Sequence, residues 1–77
     1  MSYLLHIHKA YYGMATNKQI PYPTFDMAQN TLFDLASDFR KNASGLIIML
    51  DDGEDRYVCS SIDAQTYFKG YIEEMED

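Results

Sequence analysis

The chain has no tryptophan, one cysteine, two prolines and four glycines among its 77 residues. A lone cysteine, Cys59, cannot close an internal disulfide, so no covalent staple is expected and the core must supply the stability or an oligomer must help. With prolines only at positions 21 and 23 and no low-complexity tract, nothing reads as a linker, and the length is that of one domain. Long apolar runs are missing too. The longest, Leu46-Ile47-Ile48-Met49-Leu50, falls far short of the ~18 residues that span a bilayer. The first residues lack a charged stretch followed by an apolar run and a small-residue cleavage site, so the expectation is a cytoplasmic protein without membrane contact.

Positive charge is the other scarcity. Six Lys and Arg face twelve Asp and Glu, for a net charge of −6. The imbalance is lopsided. Residues 1–50 carry Lys9, Lys18, Arg40 and Lys41 against Asp26, Asp34 and Asp38. Residues 51–77 carry Arg56 and Lys69 against nine acids, most of them in Asp51-Asp52-Gly53-Glu54-Asp55 and Glu73-Glu74-Met75-Glu76-Asp77. Such a field repels phosphates and attracts basic surfaces. It argues against direct nucleic acid binding and for a protein partner with a basic surface, including the nucleic-acid-binding groove of a larger complex.

What is present is apolar material, 47% of the residues with 14% aromatic, enough for a packed core and too much for a disordered chain. A domain this small buries roughly 60–65% of its unfolded surface, which leaves little wall for a deep substrate pocket. Residues 2–12 alternate as a strand, with Tyr3, Leu5, Ile7, Lys9 and Tyr11 on one face and Leu4, His6, His8, Ala10 and Tyr12 on the other. Gly13 ends it. Residues 14–20 read either as a turn or as a short edge strand, and Pro21 and Pro23 impose an extended, non-interior segment around Tyr22. Thr24 is an N-cap, and Phe25, Ala28, Leu32, Leu35, Ala36 and Phe39 recur at three- and four-residue steps, which predicts a helix over residues 24–42. Asp26 near its start and Arg40-Lys41 near its end suit its dipole. Leu46–Leu50 is apolar on both faces and reads as a central strand. Asp52-Gly53 seeds a hairpin into a strand over Arg56–Ser61. Ser60 and Asp63 then have capping-box spacing, and Ala64, Phe68, Tyr71, Ile72 and Met75 fit a second apolar helical stripe weakened by Gly70. The predicted fold is α+β, a two-layer sandwich. It has a three- or four-stranded, mostly antiparallel sheet with two helices on one face, in the order β-(β)-α-β-β-α.

Chemistry-bearing patterns are few. His6 and His8 are two apart in a strand, so both imidazoles point the same way, but no third ligand has a spacing that recommends it, and no metal or cofactor is expected. Cys59 sits in a strand where a small hydrophobe would serve as well. The Asp51–Asp55 loop lacks the spacing and the closing glutamate of an EF-hand and reads as a solvated hairpin or as a negative finger for a basic cleft. Seven tyrosines are more than a small core can hold with every hydroxyl satisfied, and tyrosine favours interfaces. The candidate partner-binding residues are therefore acidic and aromatic: Asp51, Asp52, Glu54, Asp55, Tyr57, Asp63, Tyr67, Tyr71 and Glu74.

In size, acidity and lack of a catalytic signature the chain resembles, in type only, the small anti-defence proteins of bacteriophages, including anti-CRISPRs and DNA mimics. The resemblance implies a non-enzymatic inhibitor that sets carboxylates where a partner expects phosphates, in the host cell cytoplasm if a phage encodes it. Two other classes stand beside it. One is an immunity protein or small regulatory subunit for a single cognate toxin or enzyme. The other is a small metal protein or enzyme built on His6 and His8. Pairing of two copies, through a tyrosine-rich face or a sheet edge, is compatible with each.

Overall fold

The computed structural model describes residues 2–43 and 45–76. Among these residues five strands and one helix follow one another: β1 Ser2–Tyr11, β2 Met14–Tyr22, α1 Phe25–Asn42, β3 Ile47–Asp52, β4 Arg56–Ser61 and β5 Tyr67–Met75. The strands form one antiparallel sheet in the order β2-β1-β5-β4-β3.

β1 and β2 are closed by the two-residue turn Tyr12-Gly13, both with positive φ (52° and 85°). That backbone matches the twist of the strands it joins, and glycine supplies one of its two left-handed positions without strain. Residues 14–20 are thus edge strand, and Pro21 falls on this edge opposite Leu4, where a missing N–H costs no ladder bond. α1 begins where the sequence predicts: the Thr24 hydroxyl accepts from Met27 N at 3.3 Å, with Asp26 in the first turn and Arg40 and Lys41 in the last. Its Ala28, Leu32, Ala36 and Phe39 are buried against Leu5, Ile7, Tyr57, Cys59, Phe68 and Ile72 of the sheet. Each large side chain so buried contributes about 1.5–3 kcal/mol. A Cβ on Gly70 would run into Leu32 Cδ1, with Ile7 Cδ1 at 3.2 Å. The bare backbone of this glycine leaves room for Leu32 of the helix to settle on the sheet.

The predicted second helix does not exist. Residues 67–75 are β5, paired with β1 on one side and β4 on the other at the centre of the sheet. Phe68, Gly70 and Ile72 are buried and Lys69, Tyr71 and Glu73 exposed, the two-residue period of a strand. The Ser60–Asp63 capping box is not one either. The Ser61 hydroxyl donates to Asp63 Oδ1 at 2.6 Å and accepts from Thr66 N at 3.2 Å, inside a loop that returns the chain from β4 to β5. The fold is therefore a five-stranded sheet with one helix on one face. β3 is also misplaced by sequence reasoning: it lies at the sheet edge, not at its centre.

Candidate functional site

The sheet positions the two acidic clusters. β4 and β5 are neighbours, and the start of β4 meets the second half of β5, with Arg56 opposite Tyr71. Just before it, the carbonyl of Asp55 accepts from Ile72 N at 2.8 Å. The hairpin between β3 and β4 therefore abuts the segment that leads into Glu73, Glu74 and Glu76. The N-terminal half of α1 faces the same end: Gln29 Nε2 donates to the Glu54 carbonyl at 2.9 Å, and Phe25 packs edge-on against Tyr3, the partner of Glu74 in the ladder. This end thus gathers Asp26, Asp51, Asp52, Glu54, Asp55, Glu73, Glu74 and Glu76. Asp77 lies outside the described residues.

A cation is set among these acids. Arg56 donates from Nε to Asp51 at 2.9 Å and from Nη1 to Asp55 at 3.1 Å, and both carboxylates hold the guanidinium pKa up, Asp51 more strongly. All three side chains are about half exposed, so the pairs contribute little to stability and serve to fix the hairpin. The carboxylates of Asp52, Glu54 and Glu74 face water.

The other candidates do not join this surface. Tyr57 is buried under α1. Its ring meets Phe33 and Phe68 edge-on, and its hydroxyl accepts from Arg40 Nη1 at 3.1 Å. Asp63 lies at the opposite end of the strands, in the 61–66 loop, where the Ser61 hydroxyl first and the Gln65 N–H second hold its carboxyl below the usual range. Tyr67, opposite Ala10 and Ser60, is half-buried toward that same end. Tyr71 is exposed in the middle of the helix-free face, stacked on His6 (centroids 4.5 Å, interplanar angle 9°) and near His8 (6.2 Å), with Lys69 Nζ 6.0 Å from its ring centre. The candidate set divides into one acidic end and scattered others.

The two histidines do share a face, as their spacing requires, but each is engaged separately. His6 Nε2 donates to Glu73 Oε1 at 2.9 Å and His8 Nδ1 to Asn17 Oδ1 at 2.8 Å. Among the described residues no group of three or more His, Cys, Asp or Glu is placed to hold a metal ion. Cys59 is buried, and that burial pushes its thiol pKa up, away from the thiolate a nucleophile needs. No helix among the described residues is long and apolar enough to cross a membrane.

Sequence reasoning missed one surface. Leu46, Ile48, Met49 and Leu50, read as core, are exposed along the edge strand β3 and its approach. The signal that could have found it is the Asp51-Asp52 pair continuing the same strand, which a fully covered central strand would not tolerate. No protein family model, no curated protein and no solved structure matches this chain.

Proposed function

We infer that this chain is a non-enzymatic binding protein whose acidic end engages a basic surface on a partner protein, of the kind that otherwise receives nucleic acid phosphates. Occupying such a surface would make it an inhibitor, as its likeness in type to phage anti-defence proteins and DNA mimics implies. The observation that carries the reading is the Asp55–Ile72 backbone bond, which joins two clusters far apart in sequence into one anionic end. Concentrated charge of one sign steers a partner of the other and fixes its register. Asp52, Glu54 and Glu74, exposed at that end, are the residues on which affinity would rest.

The test is capture from the native host with wild-type protein and with Glu54→Lys/Glu74→Lys/Glu76→Lys. The expected outcome is a partner carrying a basic groove that is retained by the wild type, lost by the variant, and released between low salt and about 0.5 M salt, where the screening length falls below ~5 Å. A partner held equally by both proteins at both ionic strengths would refute the reading. Recovery of one enzyme or toxin with no role in handling nucleic acid would select the immunity or regulatory class instead.

A further inference from the structure

α1 has a hollow along each flank. On the β2 side a cleft of about 420 Å³ is lined by Lys9, Lys18, Thr16 and Thr31 together with apolar side chains. Its hydroxyls are spent: Thr16 donates to the Lys9 carbonyl at 3.5 Å and Thr31 to the Met27 carbonyl at 3.0 Å. On the β4 side a groove of about 420 Å³ is lined by Phe33, Ala36, Ser37, Arg40, Lys41 and Tyr57, and its donors are not spent. Tyr57 is 7% exposed. Its hydroxyl oxygen accepts from Arg40 Nη1 at 3.1 Å, and its own proton meets no acceptor among the described residues. The same bond holds the Arg40 guanidinium beside the groove with its other N–H groups unused. No carboxylate lines the groove, and among the described residues none forms an ion pair with Arg40 or Lys41, in a chain that carries twelve acids. Asp52, opposite Tyr57 in the ladder, stays out of the lining.

We propose that this groove binds a small aryl phosphate monoester, with its phosphoryl oxygens on Arg40, Lys41 and the Tyr57 hydroxyl and its ring on Phe33 and Ala36. The donor set selects the anion. A guanidinium already pinned at one nitrogen offers its remaining N–H groups as a fork, the geometry that phosphate oxygens match. A carboxylate would be satisfied by that fork alone. A phosphoryl group brings three strong acceptor oxygens and nearly two charges, which use the Tyr57 proton and the Lys41 ammonium as well. Two full positive charges also outweigh the roughly half negative charge at the end of the helix. The volume exceeds what a bare phosphate fills and lies within the range of about 300–1,000 Å³ of small-ligand sites. The surplus is apolar: Phe33 stands edge-on to Tyr57, centroids 6.1 Å apart, with Ala36 beside it in the lining. The site uses none of Glu54, Glu74 and Glu76, so it stands or falls apart from the proposed partner contact.

Titration of the full chain with phenyl phosphate, followed by NMR of the backbone amides, is expected to give a Kd of about 1 mM, with the shifts centred on Phe33, Ser37, Arg40, Lys41 and Tyr57. Inorganic phosphate lacks the ring, and benzoate lacks the third oxygen and the second charge. Each is expected to bind at least about threefold more weakly. Arg40→Gln is expected to weaken phenyl phosphate binding about tenfold, and Tyr57→Phe and Lys41→Gln about threefold each, while circular dichroism stays that of the wild type. Lys9→Gln/Lys18→Gln, on the other flank of the helix, is expected to leave the Kd unchanged. No saturable shift up to about 10 mM phenyl phosphate, inorganic phosphate or benzoate binding as tightly, a Kd indifferent to both Arg40→Gln and Lys41→Gln, or binding lost in Lys9→Gln/Lys18→Gln would overturn the proposal.

Discussion

Gly70 shows what a single missing side chain does here. Its Cα lies under Leu32, and an added methyl would displace that side chain and press on Ile7 and Phe68. Gly70→Ala is expected to destabilise by about 1–3 kcal/mol by overpacking, read as a lowered midpoint in urea, although alanine suits a strand at least as well as glycine does. Leu32→Ala, which empties the same contact, is expected to cost about 2–5 kcal/mol. Cys59 gives a chemical counterpart. Buried, with its thiol pKa raised by that burial, it is expected to react with a thiol reagent at pH 7–8 only at the rate of unfolding, and at once in denaturant. Residue identity alone could not separate such positions. Seven tyrosines look alike in sequence, yet Tyr57 lies beneath the helix with its hydroxyl on Arg40 while Tyr71 lies open on a histidine. The difference is the face on which each strand residue falls, which depends on register.

At the level of elements, α1 was legible because three independent signals agree over one stretch: the Thr24 cap, the spacing of Ala28, Leu32, Ala36 and Phe39, and the charges at its two ends. The β4 strand and the hairpin before it were legible for a similar reason. β5 was not. Phe68, Ile72 and Met75 fit a helical stripe, and Phe68, Gly70 and Ile72 fit a strand equally well. The capping-box spacing of Ser60 and Asp63 tipped the reading toward helix, whereas Tyr67, Phe68, Tyr71 and Ile72 favour a pleated surface. Long-range pairing with β1 decided it, and no local pattern encodes that. β3 failed for the converse reason, since an apolar run looks the same whether other strands cover it or an edge exposes it. The 61–66 loop carries a pH signature. Asp63 is held ionised by Ser61 and Gln65, so its carboxyl titrates lower in the folded chain than in the unfolded one. Its contribution is present above the ordinary aspartate range and is lost as pH falls through the depressed value. Hydrogen exchange at Gln65 and Thr66 is expected to accelerate on acidification in the wild type, once corrected for the intrinsic rate, and to be fast at every pH in Asp63→Ala.

Across the whole molecule, charge is polarised along the strands. The acids of the β3–β4 hairpin and of β5 crowd one end, and Arg40 and Lys41 lie toward the other. Crowding of like charge opposes folding, and salt screens it. Added sodium chloride up to about 0.3 M is expected to raise the melting temperature of the wild type, and Glu54→Lys/Glu74→Lys/Glu76→Lys is expected to be more stable than the wild type at low salt and less responsive to it. The strand order has its own effect on how the structure is assembled. β1 and β2 make one hairpin, β3 and β4 another, and β5 alone bridges them. A nascent chain halted before Tyr67 therefore holds two ribbons with a gap between them, each presenting an unsatisfied flank to whatever is near. The sheet can close only when β5 is there to pair with both, and a chain short of it is the form expected to be most open to proteases and to association with other chains.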